Sequence, residues 1–256
     1  MKLKDIPLFD AHFHIIDPQF PLVENQGYLP LPFTCDDYFE RMSDLTLKGG
    51  VVVSGSFQAF DQAYLLAALE TLGPGFVGVS QLPASVDDGM LQQLDDAGVR
   101  GVRFNLYRGG SEVLAKLENF AHHIYERLNW HVELYTDALI IDRYHTMLSE
   151  LPAVSIDHLA LSRQASDRLL GLVEQGVKVK ASGFGRLESN PIPLLREIFA
   201  ANPDSLMFGS DLPSTRAPRP FAIRDLECIG EALCENGVKR VFYENARHFY
   251  RLPTAD

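Results

Sequence analysis

Short apolar runs, many of them β-branched, recur from one end of the chain to the other. Between them the apolar positions are spaced by three and four. The runs at 8–14 (LFDAHFH), 50–54 (GVVVS), 76–82 (FVGVSQL), 99–105 (VRGVRFN), 131–136 (HVELYT), 154–158 (VSIDH), 177–182 (VKVKAS) and 206–211 (LMFGSD) are predicted strands. The intervening segments 36–47, 61–72, 86–96, 111–128, 138–150, 166–175, 192–201 and 222–235 are predicted helices, with a last one around 243–250. Gly49, Gly98, Gly176 and Gly237 fall where a helix should give way, as helix C-terminal glycines do. Eight strand–helix units in 256 residues predict an α/β fold, a (β/α)8 TIM barrel forming one domain over 1–256. An open doubly wound sheet is the alternative, but it seldom needs eight parallel strands in so short a chain. The longest irregular stretch, 15–34, is rich in Pro and Gly and follows the first strand, on the side where barrel active sites lie.

Composition narrows the partners. The hydrophobic fraction of 46% and charged fraction of 22% are those of an ordinary globular chain. A net charge of −11 argues against nucleic acid or an acidic membrane surface as partner. It does not exclude a small anionic substrate, because a local arginine cluster can invert the field in one cleft. Three cysteines, Cys35, Cys228 and Cys234, lack metal-type spacing and suit a reducing compartment. No signal-peptide core follows the N-terminal lysines and no run reaches membrane-span length, so the expected location is cytoplasmic. Whether the chain forms a homo-oligomer stays open.

The barrel reading directs attention to the strand C-termini. Strand one delivers His12 and His14; strand two is followed by Ser54, Ser56 and Gln58. Strand four ends in Arg103 and Asn105, with Arg108 just beyond; strand five ends in Glu133 and Tyr135. Strand six ends in Asp157 and His158, strand seven in Lys180 and Ser182 with Arg186 in the loop, and strand eight in Asp211. Period-two geometry puts His12 with His14, Arg103 with Asn105, Glu133 with Tyr135 and Lys180 with Ser182 on one side each. Polar pairs facing the helices would be costly, so they should face the lumen. By the same alternation Asp157, next to His158, should face the helices and be structural. His131 is expected to pack at the barrel bottom, and His122, His123 and His145 to be ordinary helix residues.

With these residues assembled, the chain resembles the amidohydrolase superfamily, in particular the amidohydrolase 2 branch that includes pyrone-dicarboxylate hydrolases and sugar lactonases. The matching pieces are FDAHFHI, GVRGVRFNLYR, WHVELY, VSIDHLAL, VKVKASGFGR, LMFGSDLPST and VFYENARHFYRL, between residues 9 and 252. The resemblance implies that His12, His14, His158 and Asp211 are the catalytic set, and the ligands of a single Zn²⁺ or Mn²⁺ if one is bound. It implies that Arg103 and Arg186, and more loosely Arg108, grip substrate carboxylates. Binuclear members carry Lys or Glu on strand four and His on strand five; Arg103, Asn105 and Tyr135 stand there instead, so a binuclear centre is not expected. No organic cofactor is expected either.

The implied activity is hydrolysis of a small carboxylated or sugar-acid lactone. Asp211 would activate water, the three histidines would polarise the carbonyl directly or through a metal, and Arg103 and Arg186 would orient a carboxylate. Tyr135, Ser56 and Gln58 are further candidates for hydrogen bonds to substrate. No GxSxG elbow supports a serine nucleophile. The alternatives are a metal-dependent decarboxylase of a small aromatic or heterocyclic acid and a non-catalytic barrel that binds a small acid.

Overall fold

A computed structural model describes residues 3–108 and 114–252. Its strands are β1 (Leu8–Phe13), β2 (Leu47–Val53), β3 (Phe76–Ser80), β4 (Val99–Asn105), β5 (His131–Tyr135), β6 (Val154–Ile156), β7 (Lys178–Ala181) and β8 (Leu206–Phe208). They pair in parallel in chain order, β1 through β8. The ring closes beyond the ends of β8 and β1. There the Asp211 N–H donates to His12 O and the His14 N–H to Leu212 O, both at 2.7 Å. The (β/α)8 barrel expected from the pattern is therefore the fold.

The helices are α1 (Cys35–Met42), α2 (Ala63–Leu72), α3 (Asp88–Asp96), α4 (Leu117–Leu128), α5 (Ala138–Glu150), α6 (Asp167–Glu174), α7 (Ile192–Ala201), α8 (Ile223–Ala232), α9 (Glu235–Lys239) and α10 (Asn245–Phe249). Thr34, Asp87, Asp137 and Ser166 start α1, α3, α5 and α6, each side chain accepting from a first-turn N–H. Such a cap contributes about 1 kcal/mol. The predicted helix 36–47 is shorter, because Leu47 already begins β2. The predicted helix 222–235 breaks at Leu233 and Cys234, which are extended. Beyond the break, α9 joins α10 through a π-helical turn, Arg240–Glu244. Of the helix expected at 111–128, residues 111–113 lie outside the described residues.

Gly98 and Gly176 do follow α3 and α6, but Gly49 lies inside β2 and Gly237 inside α9. Those two serve close approach rather than helix endings. A Cβ on Gly49 would sit 2.0 Å from Gly75 O, and one on Gly237 3.0 Å from Phe199 Cζ.

Two apolar layers result. The larger lies between the strands and the helices. The smaller fills the barrel with Phe9, Ala11, Val51, Val53, Val77, Val79 and Met207, closed below by Ala246 and Tyr250 of the C-terminal segment. Among the described residues no helix is long and apolar enough to cross a membrane.

Candidate active site

The two histidines of FDAHFH reach the lumen because β1 carries a bulge. Its register against β2 shifts between Asp10 and Phe13. Before the shift, Phe9 and Ala11 pack inside the barrel; after it, Phe13 packs among the helices, stacked on Tyr38 at 3.8 Å. The extra residue reverses the strand's parity, so Ala11 and His12 both point inward and His14 follows. Asp10 faces the other way. It accepts from Ser210 N (2.7 Å), Ser210 Oγ (2.6 Å), His12 N (3.2 Å) and Tyr38 OH (3.1 Å). It thereby ties β1 to the strand-eight loop. Burial, partly offset by Ser210, pushes its carboxyl pKa up to about 6.

The partner of the His14 imidazole indicates which nitrogen carries the hydrogen. His14 Nδ1 lies 2.7 Å from Val53 O; a carbonyl only accepts, so Nδ1 is protonated and Nε2 holds a lone pair. His12 Nδ1 sits among Asp157 Oδ1 at 3.2 Å, Glu133 Oε1 at 3.4 Å and the Lys180 ammonium at 3.4 Å, acceptors and a donor together. His158 Nδ1 sits 2.9 Å from Ser182 Oγ. The three Nε2 atoms then converge on one oxygen, Asp211 Oδ1, at 3.9, 3.8 and 3.7 Å. The other oxygen, Oδ2, is gripped by Arg186 through Nε (2.8 Å) and Nη2 (2.7 Å). Burial first, and then neighbouring positive charge, holds His14 and His158 well below the ordinary histidine value. Burial also disfavours the charged form of His12, but the Asp157 carboxylate outweighs it and raises the pKa. Asp211 itself stands at φ +60, in the left-handed region that aspartate tolerates.

Below this set lies a buried ionic floor. Arg103 donates to Asp157 Oδ2 from Nε (3.0 Å) and Nη2 (2.8 Å), and to Ser54 O from Nη1 (3.1 Å). Lys180 pairs with Glu133. Asp157 therefore faces the lumen, not the helices as alternation back from His158 suggested. Ser155 pairs in register with the lumen-facing Glu133, so Asp157, two residues on, shares its side. His158 is the residue that breaks step, because the chain turns left-handed over His158–Leu161 with φ between 47 and 57°. Opposing charges hold Asp157 and Glu133 below the usual carboxylate range, despite burial. His131 is packed at the barrel bottom as expected, with Phe249 and Tyr250 against its ring.

Above the set, a cavity of about 40 Å³ is lined by His14, Ser56, Arg103, Asn105, Tyr135 and His158 among others. A chamber of about 450 Å³ adjoins it, and Arg108, Tyr135, Arg186 and Arg216 line both. The chamber adds Arg163, paired with Glu188. Arg216 and Arg163 were not singled out from the sequence, since each lies in a loop that no strand periodicity reaches. The 15–34 stretch helps build this rim. Gln26 Nε2 donates to Arg108 O at 2.8 Å, and Arg216 bonds Asn25 O while its guanidinium lies 4.5 Å from the centre of the Tyr28 ring. Gln58, expected as a hydrogen-bond partner of substrate, has both ends of its amide engaged elsewhere. Its Nε2 donates to Ile15 O (2.7 Å) and its Oε1 accepts from Gly55 N (2.8 Å), so both ends brace the loop backbone.

A divalent cation fits the upper set. His12 Nε2 and Asp211 Oδ1 are buried without a hydrogen-bond partner, and the lone pair of His14 Nε2 faces that oxygen. Ligand atoms of His12, His158 and Asp211 all lie within 4.8 Å of one another; His14 Nε2 is 3.8 Å from Asp211 Oδ1 but falls outside that group. Two imidazoles and a carboxylate, with His14 beside them, suit Zn²⁺ or Mn²⁺.

Comparison with known proteins identifies the family. A family model for amidohydrolases matches residues 9–252. The chain is 28% identical over 232 residues to the 2-pyrone-4,6-dicarboxylate hydrolase of Comamonas testosteroni, covering 80% of this chain and 76% of that one. It is 25% identical over 224 residues to the 4-sulfomuconolactone hydrolase of Hydrogenophaga intermedia, covering 80% and 74%. Among solved structures, an apo protein of Agrobacterium tumefaciens superposes with a TM-score of 0.86 at 19% identity, over 97% of both chains, which bears on the fold.

Proposed function

The chain belongs to the amidohydrolase family, and from that premise we propose that it opens a small carboxylated lactone with water at the mouth of its barrel. The observation that carries the reading is the asymmetric tethering of Asp211. Arg186 holds Oδ2, while Oδ1 is left partnerless against three imidazoles. That oxygen, which keeps a second lone pair even beside an ion, is the base: it takes a proton from water as the water oxygen attacks the lactone carbonyl. The tetrahedral intermediate collapses by breaking the ring C–O bond, and Asp211 returns the proton to the departing oxygen. The product carries one new carboxylic acid, which ionises by releasing its proton to solvent.

The lone pair on His14 Nε2 cannot donate a hydrogen bond to a carbonyl oxygen. A divalent ion held by His12, His14, His158 and Asp211 would supply Lewis acidity there. The substrate carboxylate meets Arg108 and Arg216 at the rim, with Arg103 and Arg186 deeper. Tyr135 and Ser56 line the inner cavity where the ring would sit.

The test is a panel of pyrone and sugar-acid lactones, run with Asp211→Asn. Ring opening by the wild type, lost in the variant while circular dichroism is unchanged, is the expected result. Release of CO₂ from an aromatic or heterocyclic acid would replace this reading with a decarboxylase. Turnover near the wild-type rate in Asp211→Asn would remove that residue from its role. Ligand binding with no turnover on any substrate would leave a binding barrel.

A further inference from the structure

Under the upper set lies a second group of donors: His12 Nδ1, Glu133 and Asp157, all fully buried. Two carboxylates and an imidazole would ordinarily attract a divalent ion. This group already has cations. Lys180, with no exposed side-chain surface, pairs with Glu133 and stands 3.8 Å from Asp157 Oδ1 and 3.4 Å from His12 Nδ1. Arg103 closes the other side, 3.8 Å from Glu133 Oε1 and 2.8 Å from Asp157 Oδ2. Two positive side chains balance two negative ones, so the group is formally neutral as it stands. The floor below is sealed: the Tyr250 ring lies 6.0 Å from Lys180 Nζ. An incoming divalent ion would have to expel a buried ammonium with nowhere polar to go.

We propose that Lys180 is the built-in cation of this site. Its ammonium occupies the inner donor group, keeps a second metal ion out of it, and, through Glu133 and Asp157, holds His12 with Nε2 turned toward Asp211. Lys180 is thus a positioning residue, touching neither substrate nor the reacting oxygen. The two carboxylates belong to β5 and the end of β6, and the ammonium to β7, so the device spans three neighbouring strands.

Metal stoichiometry tests this without any lactone, so its failure is separable from failure of the lactone reading. Chelator-stripped protein is titrated with Co²⁺ or Mn²⁺, and uptake is counted by metal analysis after gel filtration. The wild type should retain at most one equivalent, Lys180→Met one more than the wild type, and Lys180→Arg the wild-type number. Two buried equivalents in the wild type, an unchanged count in folded Lys180→Met, or an extra ion in Lys180→Arg would each overturn the proposal. Lys180→Met strips Glu133 of its partner; should it fail to fold, the wild-type and Lys180→Arg counts decide.

Discussion

Arg103 shows how one side chain can hold two roles that sequence reading cannot separate. Its position after β4 suits a substrate clamp, and it does line the inner cavity. Yet three of its donor groups are already committed, two to Asp157 and one to Ser54 O. Removing it strands a buried carboxylate. Arg103→Met should therefore cost about 3–5 kcal/mol of stability, read as a lowered denaturant midpoint. Arg216 is the contrast: it lies on the rim with backbone and aromatic partners. Arg216→Ala should raise KM for a carboxylated lactone about ten- to a hundredfold, the worth of a charged hydrogen bond. Its melting temperature should be unchanged. An unaltered KM would remove Arg216 from substrate binding.

Elements place these residues through their irregularities. The bulge in β1 turns His12 inward, and the left-handed turn after β6 brings His158 beside Asp157. Next to β8, Gly209 lets β1 and β7 approach. A Cβ there would lie 2.8 Å from His12 Cβ and 3.0 Å from Ser182 Cβ. Those two residues set His12 and the Nδ1 partner of His158. Gly209→Ala should cost about 1–3 kcal/mol through overpacking. It should also lower kcat more than KM, because it shifts the imidazoles rather than the rim arginines. Kinetics showing only a KM change would contradict this.

The whole molecule carries −11 while one mouth gathers Arg103, Arg108, Arg163, Arg186 and Arg216. On the lactone reading, this rim would meet the substrate carboxylate while the acidic remainder of the surface would repel polyanions. If the upper set holds one ion, ligand linkage makes the fold report it. At about 100 times its Kd, Zn²⁺ or Mn²⁺ should stabilise chelator-stripped protein by about 2.7 kcal/mol. That shift should shrink sharply in Asp211→Asn, and calorimetry with and without metal measures it. No shift in the wild type would argue that the donors hold no ion under these conditions.

The sequence by itself determined the barrel, because parallel strands buried on both faces leave near-continuous apolar runs and the helices between them keep their own period. It also determined which residues stand at the strand ends, since that is a matter of position along the chain. Tertiary structure decided what those residues face. Alternation counted back from His158 sends Asp157 toward the helices, but a left-handed turn breaks the count there. Gln58 reads from the sequence as a candidate hydrogen-bond partner of substrate, because its actual contacts, to Ile15 and Gly55, depend on how the loops fold back. Glu133 and Lys180 were visible as inward-facing residues, but their pairing joins positions 47 residues apart. Only closure of the sheet brings such charges within reach. FDAHFH supplied two histidines; the bulge, the carbonyl of Val53 and the carboxylates below them orient both Nε2 atoms toward Asp211.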